Sequence, residues 1–153
     1  METVQGQMSA SGMKVGVVVS RWNELITKEL LEGALEELES HGSPEILVVK
    51  VPGAWEIPFA AKLLIEMRGV DGVVALGCIL QGATPHAKML AGDAGGALMN
   101  LQLETGKPVS WGVLTPETQE QALDRSGLKM GNKGREAALA LIEMMALAKS
   151  LNT

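Results

Sequence analysis

The sequence contains no tyrosine, one phenylalanine and one cysteine among its 153 residues. Because a lone cysteine has no partner in the chain, an internal disulfide is excluded. Cys78 lies within an apolar run, which predicts a small core residue. With so few aromatic side chains, leucine, alanine and nine methionines must fill the interior. Apolar residues make up 46% and charged residues 20%, which is typical of a globular domain with its own core.

Basic charge is also scarce, since the formal net charge is −5. This balance argues against nucleic acid or an anionic membrane as a partner. No apolar run reaches the length of a membrane span. The N-terminus carries Glu2 rather than a basic region followed by an apolar one, so no signal peptide is predicted. We therefore expect a cytoplasmic protein.

Apolar runs and helical periodicities alternate along the chain. Strands are predicted at 14–20, 46–51, 72–80 and 109–114. Helices are predicted at 23–41, 56–68, 85–105, 115–125 and 133–150, with Asn132 as the cap of the last one. This alternation predicts an α/β fold with a four-stranded parallel sheet and helices on both faces, in one domain spanning residues 1–153. Residues 1–12 are expected to form an N-terminal edge strand on a neighbour or a mobile arm.

The segment Gly82-Ala83-Thr84-Pro85-His86 follows a predicted buried strand and starts a predicted helix. Thr84 suits the helix cap, and Pro85 suits the first helical position because its missing N–H costs nothing there. The backbone N–H groups of such a turn attract anions, above all phosphate. Histidine is the side chain best suited to carry protons at neutral pH, so His86 in this segment indicates acid–base chemistry on a phosphorylated substrate.

Ligands of parallel α/β sheets bind outside the carboxyl ends of the strands. Two of these exits carry a tryptophan, Trp22 and Trp55, and large flat side chains there can stack on a planar heterocycle. Glu56 follows Trp55 and can accept hydrogen bonds from ligand hydroxyls. For Trp111, inside the fourth strand, a core role and a site role remain equally open.

Five motifs occur together and in order: RWNE (21–24), VPGAWEIP (51–58), GATPH (82–86), GVLT (112–115) and GNKG (131–134). In this combination the chain resembles the 6,7-dimethyl-8-ribityllumazine synthases of riboflavin biosynthesis. The resemblance implies a flavodoxin-like three-layer sandwich and a homopentamer, often built into a 60-subunit icosahedral cage. It implies the condensation of 5-amino-6-ribitylamino-pyrimidinedione with 3,4-dihydroxy-2-butanone 4-phosphate, with loss of phosphate and water. It implies no metal and no organic cofactor.

The resemblance also assigns substrate contacts. Trp22, where the family usually has phenylalanine, would stack on the pyrimidine. The ribityl chain would be held by Ala54, Trp55 and Glu56. Ile79 and Leu80 would line the ring pocket, which a neighbouring subunit would close with Trp111, Gly112, Val113 and Leu114. The phosphate would be cradled by Gly82, Ala83 and Thr84.

Three residues receive catalytic roles from the same resemblance. His86 would carry protons during imine formation and phosphate elimination. Arg125 would pair with the phosphate, and Lys133 would lie near the substrate. Such roles agree with elementary chemistry, because the arginine fork binds phosphate and phosphate elimination needs a proton carrier.

The chain departs from the family pattern after His86, where Ala87-Lys88-Met89-Leu90 replaces an aromatic, an acidic and a bulky residue. The predicted helix there carries an apolar stripe, which we interpret as a subunit interface. Its members are Ala87, Leu90, Ala91, Ala94 and Leu98. Two further hypotheses stay open: a non-catalytic cage or assembly subunit on this scaffold, natural or engineered, and a flavin- or lumazine-binding module.

Overall fold

The computed structural model describes residues 1–82, 85–127 and 131–152. Its four strands are β1 (Lys14–Ser20), β2 (Glu45–Val51), β3 (Gly72–Cys78) and β4 (Val109–Leu114). The helices are α1 (Glu24–Ser40), α2 (Ile57–Arg68), α3 (His86–Thr105), α4 (Gln119–Arg125) and α5 (Lys133–Leu151). A short 3-10 turn at Ala54–Glu56 precedes α2.

The strands form one sheet in the order β2-β1-β3-β4, and every neighbouring pair is parallel. Val17 pairs with Val48 on one side and with Val74 on the other, while Ala75 pairs with Trp111. All seven residues of the central strand β3 are buried. The predicted parallel sheet is therefore confirmed, and the continuous apolar sequence of β3 is that of a strand covered on both faces.

Helices cover both faces of the sheet and create two separate cores. One core joins β1 and β3 to α1 and α5 through side chains such as Val17, Leu30 and Leu141. The other lies on the opposite face against α2 and α3 and includes Ile57 and Leu98. This is the three-layer α/β architecture that the resemblance implies.

The orientation of α5 fixes which edge of the sheet its ends approach. A Cβ added to Gly112, near the end of β4, would lie 3.0 Å from the Cβ of Ala137. A Cβ added to Gly72, at the start of β3, would lie 2.8 Å from the sulfur of Met145. Helix α5 therefore begins at the carboxyl edge of the sheet and runs towards the amino edge.

The apolar stripe of α3 faces its own chain, so its interpretation as a subunit interface is wrong. Ala87, Ala94 and Leu98 are buried, and Leu90 and Ala91 pack against the core beneath α2 and α3. Periodicity identifies a stripe but does not say whether the same chain or another one covers it. The large apolar side chains that α3 exposes are instead Met89, Met99 and Leu103.

Some predicted element ends shift for identifiable reasons. Helix α4 does not begin at Thr115-Pro116, because the carbonyls of Thr115 and Pro116 accept hydrogen bonds from the Gln81 side chain (3.0 Å) and backbone N–H (2.9 Å). The helix begins at Gln119 instead, where the Thr118 side chain accepts from the N–H of Gln121. Helix α3 begins at His86, one residue after Pro85. The predicted cap Thr84 lies outside the described residues.

Residues 1–12 form no strand within this chain. Gly6 and Ala10 are nevertheless buried, and a Cβ at Gly6 would lie 2.9 Å from the backbone nitrogen of Leu147 on α5. The N–H of Ala10 donates to the carbonyl of His41 at 2.7 Å.

Among the described residues, none of the helices has the length and apolar character needed to span a membrane.

Candidate active site at the carboxyl edge of the sheet

The exits of β1 and β2 lie side by side and hold both rim tryptophans. The N–H of Trp22 donates to the carbonyl of Pro52 at 3.0 Å. The N–H of Arg21 donates to the carbonyl of Val51 at 2.8 Å. The indole of Trp22 rests on Gly53, where an added Cβ would approach its Cζ3 to 2.6 Å. Any side chain at position 53 would therefore displace the Trp22 ring, so glycine is required there. The Trp22 side chain is nevertheless 63% exposed. An exposed ring fixed in place offers a stacking surface for a planar ligand.

Asn23 joins the exit of β1 to that of β3, a role that the sequence reasoning missed. Its backbone is left-handed (φ 64°), and its side-chain Nδ2 donates to the carbonyl of Cys78 at 3.0 Å. Asparagine tolerates this conformation better than most residues do. An asparagine between the end of a strand and the start of a helix was the available signal, and it points to a fixed turn beside Trp22.

Glu56 has one carboxylate oxygen, Oε2, that is buried without a hydrogen-bond partner in the described structure. The 3-10 turn that carries it also places Ala54 inside the core and leaves Trp55 66% exposed. Helix α3 packs against this turn. A buried carboxylate oxygen without a donor is costly, and a ligand hydroxyl at this position would relieve the cost.

The loop after β3 packs against the segment after β4. The N–H of Ile79 donates to the carbonyl of Leu114 at 2.8 Å, so strand-like pairing continues one residue beyond β3. Ile79 is buried, whereas Leu80 is 36% exposed. A Cβ at Gly82 would lie 2.6 Å from the carbonyl oxygen of Glu117, so this close approach requires glycine. Ala83 and Thr84, the other predicted phosphate contacts, lie outside the described residues.

His86 is the first residue of α3, and its side chain is exposed. No described residue forms a hydrogen bond or ion pair with its ring, and the first turn of α3 contains no acidic residue. Lys88 is exposed on the same helix. The imidazole is therefore accessible to a ligand at the carboxyl edge of the sheet.

The stretch 111–114 divides between surface and core. Gly112, Val113 and Leu114 are buried, with Val113 and Leu114 only 3% and 4% exposed. The side chains of Val113 and Leu114 therefore belong to their own core, and the role of this stretch in a neighbour's ring pocket stays a prediction. Trp111 is half-buried and packs against α3, where an added Cβ at Gly95 would lie 3.8 Å from its ring.

Arg125 and Lys133 lie at the junction of α4 and α5, at the carboxyl edge where α5 begins. Arg125 is exposed and Lys133 half-buried. Neither forms an ion pair with another described residue. Asn132 caps α5 as predicted, because its Oδ1 accepts from the N–H of Arg135 at 3.1 Å. Two cations at this junction are thus available to an anionic group.

Two other kinds of chemistry have little support among these residues. Burial raises the pKa of the Cys78 thiol to about 11, so this group at the end of β3 is a neutral thiol at physiological pH and a poor nucleophile. Across residues 1–82, 85–127 and 131–152, no cluster of three or more histidine, cysteine, aspartate or glutamate side chains is arranged to hold a metal ion.

The fold is a three-layer α/β sandwich around one parallel sheet. Its carboxyl edge carries aromatic side chains, a carboxylate and an exposed histidine, which is typical of α/β enzymes whose ligand site lies at the strand exits. A family model described as 6,7-dimethyl-8-ribityllumazine synthase matches residues 12–149. The chain is 46% identical over 153 residues to the 6,7-dimethyl-8-ribityllumazine synthase of Aquifex aeolicus (strain VF5), covering 99% of both chains. It is 45% identical over 154 residues to the enzyme of that name from Protochlamydia amoebophila (strain UWE25), covering 99% of this chain and 90% of that protein.

The chain therefore belongs to the 6,7-dimethyl-8-ribityllumazine synthase family. Membership makes it an enzyme of the transferase kind in riboflavin biosynthesis, acting on small molecules. The resemblance drawn from the five motifs is confirmed.

Proposed function

We propose that the chain condenses 5-amino-6-ribitylamino-pyrimidinedione with 3,4-dihydroxy-2-butanone 4-phosphate to 6,7-dimethyl-8-ribityllumazine, releasing phosphate and water. The observation that carries this proposal is the unpartnered buried Oε2 of Glu56 beside two exposed tryptophan rings. A polyhydroxylated chain attached to a planar heterocycle supplies both the missing donor and the ring to be stacked.

The strand exits divide the substrate between them. Trp22 stacks on the pyrimidine ring, and the turn at Ala54–Glu56 holds the ribityl hydroxyls. The phosphate binds at Gly82, Ala83 and Thr84 before α3, where backbone N–H groups and the helix dipole favour an anion. Arg125 and Lys133 add positive charge.

The reaction needs protons to move in both directions. Attack of the amine on the ketone forms a C–N bond, and loss of water from the adduct gives an imine. Elimination then breaks the C–O bond to phosphate while a proton leaves carbon, and the resulting enol tautomerises to a second carbonyl. The ribityl-bearing nitrogen attacks this carbonyl and a second water is lost, which closes the ring. His86 accepts and returns these protons through its accessible imidazole, and Arg125 stabilises the departing phosphate.

Substitution Glu56→Gln tests the substrate class directly. Loss of a charge-assisted hydrogen bond should raise KM for the ribityl substrate about tenfold or more. Folded stability should stay the same or rise by up to about 1 kcal/mol, because an unpartnered buried amide costs less than an unpartnered buried carboxylate oxygen. The rise in KM is checked by assaying lumazine formation with both substrates, and the unchanged or higher stability by thermal unfolding of the same preparations.

The matched control is Glu66→Gln, on the exposed face of α2 where Glu66 pairs with Lys62 at 2.7 Å. This variant should change neither KM nor stability by a measurable amount, since surface ion pairs contribute little. No lumazine formation by the wild-type protein would contradict the proposed function. Turnover with an unchanged KM in Glu56→Gln would contradict the proposed contact only.

We further propose that the domain of residues 1–153 works as a homopentamer that can build a 60-subunit shell. Support comes from apolar side chains that the single chain leaves exposed on neighbouring helices. They are Trp55, Phe59 and Met67 on and beside α2, and Met89, Met99 and Leu103 on α3. Trp111 lines a groove of about 490 Å³ between α3 and β4, and we expect its half-buried ring to meet the ring pocket of a second copy.

A charge placed on the exposed face of α3 tests this assembly. Met89 is 57% exposed, so Met89→Glu should fold normally yet introduce five like charges where copies of α3 approach. Light scattering should then report a smaller particle than for the wild type. Leu90→Glu is unsuitable because Leu90 packs within its own chain. An unchanged particle size would contradict an interface at this face.

We propose the cytoplasm as the place of work, because a phosphorylated substrate does not cross a lipid bilayer unaided and must meet its enzyme where it is made.

A further inference from the structure

We propose that Asn132 is a positioning residue that holds Arg125 and Lys133 at a fixed separation for the anionic group of the substrate. This inference rests on the proposed function, since it explains how the phosphate-binding cations are kept in place. Asn132 is only 9% exposed, although it joins two elements at the surface. Its side chain does much more than cap a helix.

Three hydrogen bonds engage the Asn132 side chain, two donated by Nδ2 and one accepted by Oδ1. Nδ2 donates to the carbonyl of Glu29 on α1 at 3.0 Å and to the carbonyl of Ser126 at 3.2 Å. Oδ1 accepts from the N–H of Arg135 at 3.1 Å. The end of α4, the start of α5 and the middle of α1 therefore meet at this one amide.

The backbone closes the same junction. Ser126 and Asn132 form an isolated antiparallel bridge, and Ser126 is 4% exposed. Gly127 (φ 124°) and Gly131 (φ 80°) adopt left-handed conformations just inside the bridge. Arg125 and Lys133 each lie one residue outside it. Their separation is therefore set by the bridge, and the bridge is tied to α1 through Asn132.

Helix α1 is shaped to receive this junction. A Cβ at Gly33 would lie 2.7 Å from Nδ2 of Asn132 and 2.8 Å from Cγ of Arg135, so only glycine leaves room for both side chains. Arg135 in turn pairs with Glu36 and Glu37 on α1. Because these two carboxylates occupy Arg135, Arg125 and Lys133 are the cations that the described part of this junction leaves available to a ligand.

The variant Asn132→Ser distinguishes two functions of the Asn132 side chain, the capping of α5 and the hydrogen bonds to Glu29 and Ser126. Serine keeps a side-chain oxygen to cap α5 but has no amide to donate to Glu29 and Ser126. KM for the phosphorylated substrate should rise about tenfold and kcat should also fall, because Arg125 is then misplaced both for binding the phosphate and for stabilising its departure. Inhibition by inorganic phosphate should weaken by the same factor.

Gly33→Ala reaches the same junction from α1 and should raise the same KM, because its methyl group displaces the Asn132 amide. The control is Ile142→Val, a fully buried α5 residue away from the junction, which lowers stability through packing alone. It should leave KM and phosphate inhibition unchanged. Should Asn132→Ser fail to fold, Gly33→Ala provides the same measurement.

Inorganic phosphate, titrated by calorimetry without turnover, distinguishes failure of this inference from failure of the proposed function. If phosphate binds to the wild type and Arg125→Gln weakens it, unchanged binding in both Asn132→Ser and Gly33→Ala overturns the positioning role. If Arg125→Gln binds phosphate as the wild type does, Arg125 does not contribute to phosphate binding. The proposed positioning role of Asn132 is then overturned as well.

Discussion

Substitution of His86 by alanine should lower kcat for lumazine formation about a hundredfold or more, a hundredfold being the lower end of the range for general acid–base catalysis. The structure supplies the reason, because His86 is exposed at the first residue of α3 and no described residue occupies its imidazole. A ring already bound to a carboxylate or carbonyl would first have to leave its partner before carrying protons for a ligand.

The His86 variant is best measured by single-turnover kinetics with both substrates, together with calorimetric titration of inorganic phosphate. Phosphate affinity should change little, since the proposed anion contacts are backbone N–H groups and Arg125. A matched control is His41→Ala, which removes the other histidine from the end of α1, where its Nδ1 lies 2.8 Å from the carbonyl of Glu37. His41→Ala should keep full turnover.

Equal turnover by His86→Ala and the wild type would remove His86 from the mechanism. The departure at Lys88 would then be explained, because a site that does not use the His86 imidazole has no need of an acidic residue at position 88. A loss of kcat with Lys88→Ala as large as that with His86→Ala would instead assign the proton transfer to both residues. Full activity in Lys88→Ala would make Lys88 a tolerated surface neighbour.

The strand exits could be predicted from the sequence because their signals are local. The apolar run of β3 ends at a turn with glycine and proline, and tryptophan follows β1 and β2 within a few residues. Parallel pairing then brings these ends to one edge, which the structure confirms. Local patterns are sufficient wherever the position of a side chain follows from the direction of its own strand.

Features that depend on distant contacts escaped prediction. Nothing near Asn132 in the sequence indicates a hydrogen bond to the carbonyl of Glu29, more than a hundred residues earlier. The unpartnered oxygen of Glu56 depends on how the surrounding elements bury it. The stripe of α3 was visible, but whether it faces the sheet or another subunit depends on the path of the chain before and after it. The role of a charged or amide side chain, or of a helix face, can therefore be assigned only from the tertiary structure.

Substitution Gly134→Ala should destabilise the fold by about 3 kcal/mol or more, at the upper end for an added methyl group. A Cβ at Gly134 would overlap the carbonyl oxygen of Leu30 and lie 2.7 Å from its carbonyl carbon and 2.9 Å from its Cα. These are backbone atoms of α1, which cannot turn aside as a flexible side chain can. Helices α1 and α5 would have to separate, and with them the core around Leu30 and Leu141.

Intrinsic propensity works in the opposite direction, which makes the Gly134 prediction decisive. Alanine favours a helix over glycine by about 1 kcal/mol, so Gly134→Ala would stabilise α5 if the crossing with α1 were loose. Gly95→Ala on α3 is the matched control, because its Cβ would lie 3.8 Å from the ring of Trp111, an ordinary contact. That variant should gain about 0.5–1 kcal/mol. Urea unfolding at one fixed protein concentration compares the two, since oligomer dissociation makes apparent stability depend on concentration. Equal stability in both variants would mean that α1 and α5 do not cross as closely as described, and the junction at Asn132 would lose its anchor.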